Sequence, residues 1–165
     1  MTLAKDFEDF IKLLNDHDVQ YMVVGGYALG FHGKPRYTGD LDIWIGISED
    51  NAVKLIRVIN DFGMASLGFT KEDFLRPGFV TQIGYPPLRI DILNAIDGIG
   101  FEEAYQNKQT ITEDDLVIAY IGLNDLLANK IASGRKRDID DIKAIKKIVP
   151  KNDTATRKKR GPRLS

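Results

Sequence analysis

The 165-residue sequence contains no cysteine and only two histidines. The absence of thiols excludes disulfide bonds, thiolate metal sites and cysteine nucleophiles, and it is neutral about the cellular compartment. His17 and His32 are not at the spacing of a shared metal site. Any metal must therefore be held mainly by oxygen ligands.

Long hydrophobic runs are also absent, since no stretch of about 18 apolar residues occurs. The first residues lack the basic-then-apolar order of a secretory signal. We therefore expect a cytoplasmic protein without a membrane partner. A chain of this length with 43% hydrophobic residues suits one compact domain, which we assign to residues 1–149.

The charges are unevenly distributed along the chain. Residues 1–134 contain 11 Lys+Arg and 20 Asp+Glu, whereas residues 135–165 contain 12 and 4. This asymmetry indicates either an anionic partner, such as a nucleotide or nucleic acid, or a solvated tail that maintains solubility. Residues 150–165 have almost no apolar side chain and include the basic cluster 157–160, which predicts a disordered basic tail.

Hydrophobic periodicity predicts a mixed order of helices and strands. Helices are predicted over residues 3–15, 27–31, 49–61, 101–107, 124–133 and 138–149, with a further short helix capped by Thr70 and Asp73. Strands are predicted over residues 20–24, 41–47, 79–83, 88–93 and 116–121, and the Gly-Tyr-Pro-Pro turn joins the third and fourth into a hairpin. The order indicates an α+β fold with a central mixed sheet flanked by helices and closed by C-terminal helices.

Two short motifs carry the chemistry. Gly25-Gly26 follows a strand and opens a helix, which is typical of a backbone that approaches phosphate oxygens. Asp40 and Asp42 are two residues apart on a strand, so both carboxylates project from the same face and could share a hard cation such as Mg²⁺.

An Asp-x-Asp pair alone is weak evidence for a metal site, because paired acids often lie on a solvated strand. The apolar neighbours of Asp40 and Asp42 indicate instead a largely buried strand, where two uncompensated charges would be costly. A third acid, Asp91, lies between Ile90 and Ile92 in another apolar strand. It either completes the metal site or is a surface acid on an edge strand.

These residues resemble the nucleotidyltransferase superfamily that has the DNA polymerase beta palm. The resemblance is to its small bacterial members, related to lincosamide-modifying and toxin–antitoxin nucleotidyltransferases, and covers roughly residues 3–148. The glycine pair, Asp40, Asp42 and Asp91 match the family pattern in order and context. Gly26 stands where serine is common, so backbone donors must serve the phosphates without a hydroxyl.

The resemblance implies metal-dependent transfer of a nucleoside monophosphate from a triphosphate such as ATP to an acceptor hydroxyl, with release of pyrophosphate. Asp40, Asp42 and Asp91 would bind Mg²⁺ or Mn²⁺, and Asp91 would also serve the acceptor hydroxyl. Nucleotide-binding residues are expected to include Gly25, Gly26 and Thr38, and Thr38 is also expected to position Asp40. The cations expected to neutralise pyrophosphate are Arg36, Lys130, Arg135 and Arg137, with Asp138 or Asp141 orienting Lys130.

The sequence leaves three classes of acceptor for the transferred nucleotide. A small molecule such as an antibiotic, a tRNA end and a partner protein all remain, and a homodimer or a partner chain could complete the acceptor site. A different interpretation is a non-catalytic nucleotide-binding or antitoxin-like module in which the three acids are relics.

Overall fold

The computed structural model describes residues 3–35 and 38–149. The predicted basic tail, residues 150–165, and the predicted phosphate contact Arg36 lie outside the described residues. Within the described ranges, no helix is long and apolar enough to cross a membrane.

Six strands form one mixed sheet. The elements follow the order α1 (Lys5–Asp16), β1 (Tyr21–Val24), α2 (Gly25–Phe31), β2 (Asp40–Ile45), α3 (Glu49–Asp61), a 3₁₀ turn (Ala65–Leu67), α4 (Lys71–Leu75), β3 (Val80–Tyr85), β4 (Leu88–Leu93), α5 (Phe101–Gln106), β5 (Gln109–Glu113), β6 (Leu116–Tyr120), α6 (Leu123–Ser133) and α7 (Asp138–Ile148). The strand order across the sheet is β3-β4-β2-β1-β6-β5. The predicted α+β fold is confirmed.

The sheet combines antiparallel and parallel pairs. β1 runs antiparallel to β2 and parallel to β6, while β2 runs parallel to β4. Two antiparallel hairpins, β3–β4 and β5–β6, form the two edges. Because β4 lies beside β2, residues that are about 50 positions apart in sequence become direct cross-strand neighbours.

The side chains of β2 point alternately to the hydrophobic core and to the opposite face of the sheet, which carries the acids. Leu41, Ile43 and Ile45 are almost fully buried on one face. On the other face, Asp40 and Asp42 are only half-buried, and Trp44 is covered by Phe101 with ring centroids 5.2 Å apart. The apolar face of β2 therefore anchors the strand while the opposite face presents the acids.

The apolar stripe of α1 matches its predicted periodicity. Phe7, Phe10, Ile11 and Leu14 are all buried in the hydrophobic core. The capping box at Thr70 and Asp73 that begins α4 is confirmed as well. Strand β5 was not predicted; it is polar, mostly exposed and held by pairing with β6.

Asn51 joins α3 to the strands beside it. Its Oδ1 accepts from the Gln20 backbone N–H at 2.7 Å, and its Nδ2 donates to the carbonyls of Gln20 and Gly46 at 3.1 and 2.8 Å. The side chain is buried, so water cannot replace these three bonds.

Replacing Asn51 with alanine is expected to lower the free energy of unfolding by about 1–3 kcal/mol, because the N–H of Gln20 and the carbonyl of Gly46 lose the partner that the buried amide supplies. Chemical denaturation measures the change. Asn60→Ala, at an exposed position of the same helix, is the matched control and should change stability by less than about 0.5 kcal/mol. Equal effects of the two substitutions would contradict this role for Asn51.

Candidate functional site

The three predicted acids come together on one face of neighbouring strands. Register pairs Asp42 of β2 with Asp91 of β4, and Asp40 with Arg89. Paired residues of adjacent strands project to the same face with backbones about 5 Å apart. Asp91 is largely buried, as its apolar neighbours indicated, and it does not lie on an edge strand because β3 covers β4 on its outer side.

Arg89 is a site residue that the sequence reasoning missed. Its Nε donates to Asp91 Oδ1 at 2.7 Å and its Nη2 to Asp91 Oδ2 at 3.0 Å, a bidentate pair. The same Nη2 donates to Asp40 Oδ2 at 3.1 Å. Arg89 and Asp91 are two residues apart on β4, so the alternation that placed Asp40 beside Asp42 could also have found Arg89.

Asp42 lacks a comparable partner. Its burial and the negative charges of Asp91 and Asp40 raise the pKa of Asp42 to about 7, against the opposing influence of Arg89 and Arg135. The carboxyl group of Asp42 is thus the point in the site where a further positive charge would be most stabilising.

The glycine pair touches the acidic strand directly. Gly25 has a φ of 67°, and a Cβ added there would collide with the carboxylate of Asp42. A Cβ added at Gly26 would lie 3.1 Å from the Cβ of Thr38. Glycine is therefore required at position 25, whereas a serine at Gly26 would require Thr38 to move by a few tenths of an ångström.

Thr38 lies two residues before the acidic strand β2. Its Oγ1 donates to the carbonyl oxygen of Asp40 at 3.2 Å. The hydroxyl therefore fixes the backbone at the first acid.

A pocket of about 480 Å³ lies over these residues. One wall is the sheet with the glycine pair, Thr38, Asp40, Asp42, Arg89 and Asp91, and the other is built from α6, α7 and the turn between them, including Asn129, Lys130, Ser133, Arg135, Arg137 and Asp138. The pocket thus joins an acidic wall to a wall that carries basic side chains.

The basic residues of the second wall differ in their partners. Lys130 is 3% exposed, and its Nζ donates to Asp138 Oδ1 at 3.2 Å and to Asp141 Oδ2 at 3.0 Å. Arg135 is exposed and donates through Nε to Asp138 Oδ2 at 2.8 Å. Arg137 is exposed, lines the pocket, and has no ion pair among the described residues.

Asp138 organises this wall. Burial acts to raise its pKa, but hydrogen bonds from Ser133, Arg135 and Lys130 outweigh that effect and lower the pKa of Asp138 to about 2. The carboxylate is 1% exposed and stays ionised at neutral pH. It therefore fixes Lys130 within the wall and orients Arg135 at the pocket mouth.

The donor chemistry fits a hard divalent cation. All candidate ligands are carboxylate oxygens, and Asp42 bears a charge that no side chain pairs with among the described residues. Within residues 3–35 and 38–149, no three acidic, histidine or cysteine side chains are already gathered as a metal cluster. The Arg89 guanidinium contacts both oxygens of Asp91 and one of Asp40, so metal binding would have to share or displace it.

Comparisons with known proteins agree with this geometry. Residues 4–160 match the sequence model of a family described as nucleotidyl transferase of unknown function (DUF2204). The chain belongs to this family. No curated protein matches the sequence.

Two solved structures share the fold of this nucleotidyl transferase family member. A candidate nucleotidyltransferase from Thermotoga maritima superposes with a TM-score of 0.58 at 14% identity, covering 84% of this chain and 88% of its own. An antigenic nucleotidyltransferase-like protein from Paracoccidioides brasiliensis gives a TM-score of 0.55 at 16% identity, covering 90% and 78%. At these identities the likeness concerns the fold alone.

The raised pKa of Asp42 predicts a pH-dependent stability in the presence of a chelator. The folded value of about 7 lies above the unfolded value, so the contribution of Asp42 is fully present below about pH 4 and is lost as the pH rises through 7. Asp42→Asn carries a neutral side chain of the same size at every pH. Its free energy of unfolding should exceed that of the wild type at pH 8 by at least about 1 kcal/mol, and little at pH 4.

Denaturation curves at both pH values measure this difference. Asp140→Asn, at an exposed position of α7, is the control and should follow the wild type. The expectation would be contradicted by an Asp42→Asn protein that loses stability with pH as steeply as the wild type.

Lys130→Met is expected to lower the free energy of unfolding by about 3 kcal/mol, because the buried Asp138 and Asp141 lose the cation that they share, while Arg135 and Ser133 still contact Asp138. Lys136→Met, at an exposed position in the turn between α6 and α7, should cost less than about 0.5 kcal/mol. Chemical denaturation compares the two. An unchanged stability of Lys130→Met would leave nucleotide contact as the only role for this lysine.

Proposed function

We propose that the protein transfers a nucleoside monophosphate from a nucleoside triphosphate such as ATP to an acceptor hydroxyl, using Mg²⁺ or Mn²⁺. The observation that carries this proposal is the meeting of Asp40, Asp42 and Asp91 on one sheet face beside the glycine pair and across from exposed arginines. Membership of a nucleotidyl transferase family supports the same class of reaction.

The chain's own residues supply three components of this reaction. Gly25 and Gly26 let the start of α2 lie directly against Asp42 and Thr38, so the first backbone N–H groups of α2 are held beside the acids, where they would donate to phosphate oxygens. Arg135 and Arg137 would face the negative charge that grows on the leaving pyrophosphate. Lys130 is the weaker candidate for this contact, since Asp138 and Asp141 already pair with its ammonium group.

In the transfer, the acceptor oxygen forms a bond to the α-phosphorus while the bond from that phosphorus to the bridging oxygen breaks. Pyrophosphate leaves with the electron pair, and the hydroxyl proton passes to Asp91 or to water. Divalent cations held by Asp40, Asp42 and Asp91 would supply charge neutralisation for both the entering and the leaving oxygen. Arg89 orients Asp91 until then.

The second candidate function is a non-catalytic nucleotide-binding or antitoxin-like interaction module. The observation in its favour is that the Arg89 guanidinium already neutralises Asp91 and part of Asp40 within the protein. Such a module would bind a triphosphate without transferring any part of it.

Transfer is tested by incubating the full-length protein with each α-labelled triphosphate, Mg²⁺ or Mn²⁺, and separate pools of tRNA, proteins and antibiotics. Label is expected in one pool, and Asp42→Asn should reduce its incorporation by at least about a hundredfold, because an amide cannot hold a cation as a carboxylate does. Asp140→Asn is the control.

A thermal shift with triphosphate and metal separates the two candidates. Binding without label in any pool would favour the non-catalytic module. Undiminished transfer by a folded Asp42→Asn protein would overturn the assignment of the site.

A further inference from the structure

The strand order arranges the glycine pair and the three acids in a row across the sheet. Crossing the sheet from β1, the glycine pair at the start of α2 comes first, followed by Asp40 and Asp42 on β2 and then Asp91 on β4. Among the strands of the described residues, β3 alone lies beyond Asp91 and forms the edge of the sheet. Gln82 of β3 is paired with Asp91 and is exposed.

We propose that the acceptor is an extended polypeptide segment that docks along the outer edge of β3 and directs a side-chain hydroxyl across Gln82 toward Asp91. This inference rests on the proposed function, because it names the acceptor of that reaction. It assigns to β3 the role of the acceptor-docking strand.

The chemistry of transfer sets the side from which the acceptor arrives. The entering oxygen and the leaving pyrophosphate are roughly in line on opposite sides of the phosphorus. With the pyrophosphate beside Gly25, the hydroxyl must approach from the Asp91 side, which is the side of β3. The acceptor side chain therefore crosses β3 to reach Asp91.

The edge formed by β3 suits strand addition. It contains no charged residue and no proline between Val80 and Tyr85, and these two apolar residues are 50% and 87% exposed. Every second residue of an edge strand directs its backbone N–H and C=O outward, ready to pair with another chain.

The opposite edge of the sheet is different. Strand β5 ends at Glu113, and the acidic residues Asp114 and Asp115 form the following turn with positive φ. Charges at an edge are a common way to discourage pairing. The contrast indicates that β3 is the less protected of the two edges.

The charges beside β3 favour a polypeptide over a nucleic acid. From Lys71 to Leu93, each described cation is already in an ion pair: Lys71 with Glu49, Arg76 with Asp73, and Arg89 with Asp91 and Asp40. A nucleic-acid acceptor gains most of its affinity from unpaired basic side chains that neutralise its phosphates. An uncharged extended segment needs none.

The test uses the full-length protein and short uncharged peptides rich in Thr, Val and Gln with a central Ser, Thr or Tyr. A tRNA pool and peptides with proline at alternate positions, which cannot pair with a strand, are supplied in parallel. Label from the α-phosphate is expected in the unmodified peptides, with little in the proline peptides or tRNA. Label in tRNA alone, equal label in both peptide sets, or no peptide label from a protein that binds triphosphate overturns the proposal.

A matched pair of edge variants locates the docking strand. Val80→Lys introduces a charge on β3 and is expected to raise the KM for the labelled peptide at least about tenfold. Thr110→Lys makes the same change on exposed β5 and should have no effect. An unchanged KM in Val80→Lys, or an equal change in both variants, overturns the role of β3.

Hydrogen exchange and triphosphate binding separate this proposal from the proposed function. The labelled peptide should slow exchange of the amides in residues 80–85 and leave residues 109–113 unchanged, whereas protection of β5 in place of β3 contradicts the proposal. A thermal shift with triphosphate and Mg²⁺ should be the same in wild type and Val80→Lys. If no triphosphate binds, the proposed function itself fails, and the acceptor inference falls with it.

Discussion

The accumulation of like charge on two adjacent strands is the constraint on which the site depends. Asp40, Asp42 and Asp91 occupy one face at paired positions, so their repulsion must be compensated for the sheet to form. Arg89 compensates Asp91 and part of Asp40, while burial, together with the negative charges of Asp91 and Asp40, raises the pKa of Asp42. The bare α-carbon of Gly25 is part of the same solution, because any side chain there would strike the Asp42 carboxylate. A bound cation would therefore offset the electrostatic repulsion that the fold concentrates at the carboxyl group of Asp42.

The opposite wall of the pocket contains buried charges of both signs. Lys130, Asp138 and Asp141 are buried together, and Ser133 donates to Asp138 at 2.7 Å, so the charges between α6 and α7 are satisfied internally. This arrangement fixes the angle between the two helices across Gly134, which adopts a left-handed conformation at the end of α6. The rigid wall then presents Arg135 and Arg137 toward the acids. Basic residues that are close in sequence thus divide into one that builds the wall and two that face the pocket.

Alternation and periodicity were enough to predict most elements and the common face of Asp40 and Asp42. The meeting of these acids with Asp91 depends on β2 pairing with β4, and that pairing follows from the resemblance and the fold, not from local pattern. Alternation alone puts Arg89 on the face of Asp91, but its contact with Asp40 depends on the same pairing of β2 with β4. Strand β5 was missed for a related reason: its polar sequence has little intrinsic strand signal, and pairing with β6 stabilises it. The partners of Lys130 were anticipated as orienting acids, but burial decides that the three form one structural cluster.

The position of β4 between β2 and β3 gives the site two separate approaches. Asp42 lies inside the sheet next to β1, where the glycine pair and α2 limit access to something small and flexible such as a triphosphate chain. Asp91 lies one strand from an uncharged edge, where a larger molecule can align with the sheet. Because the two approaches come from opposite sides of the acids, a nucleotide and an acceptor need not compete for the same surface. An in-line transfer requires this separation, so the strand order is as much a condition for the chemistry as the acids themselves.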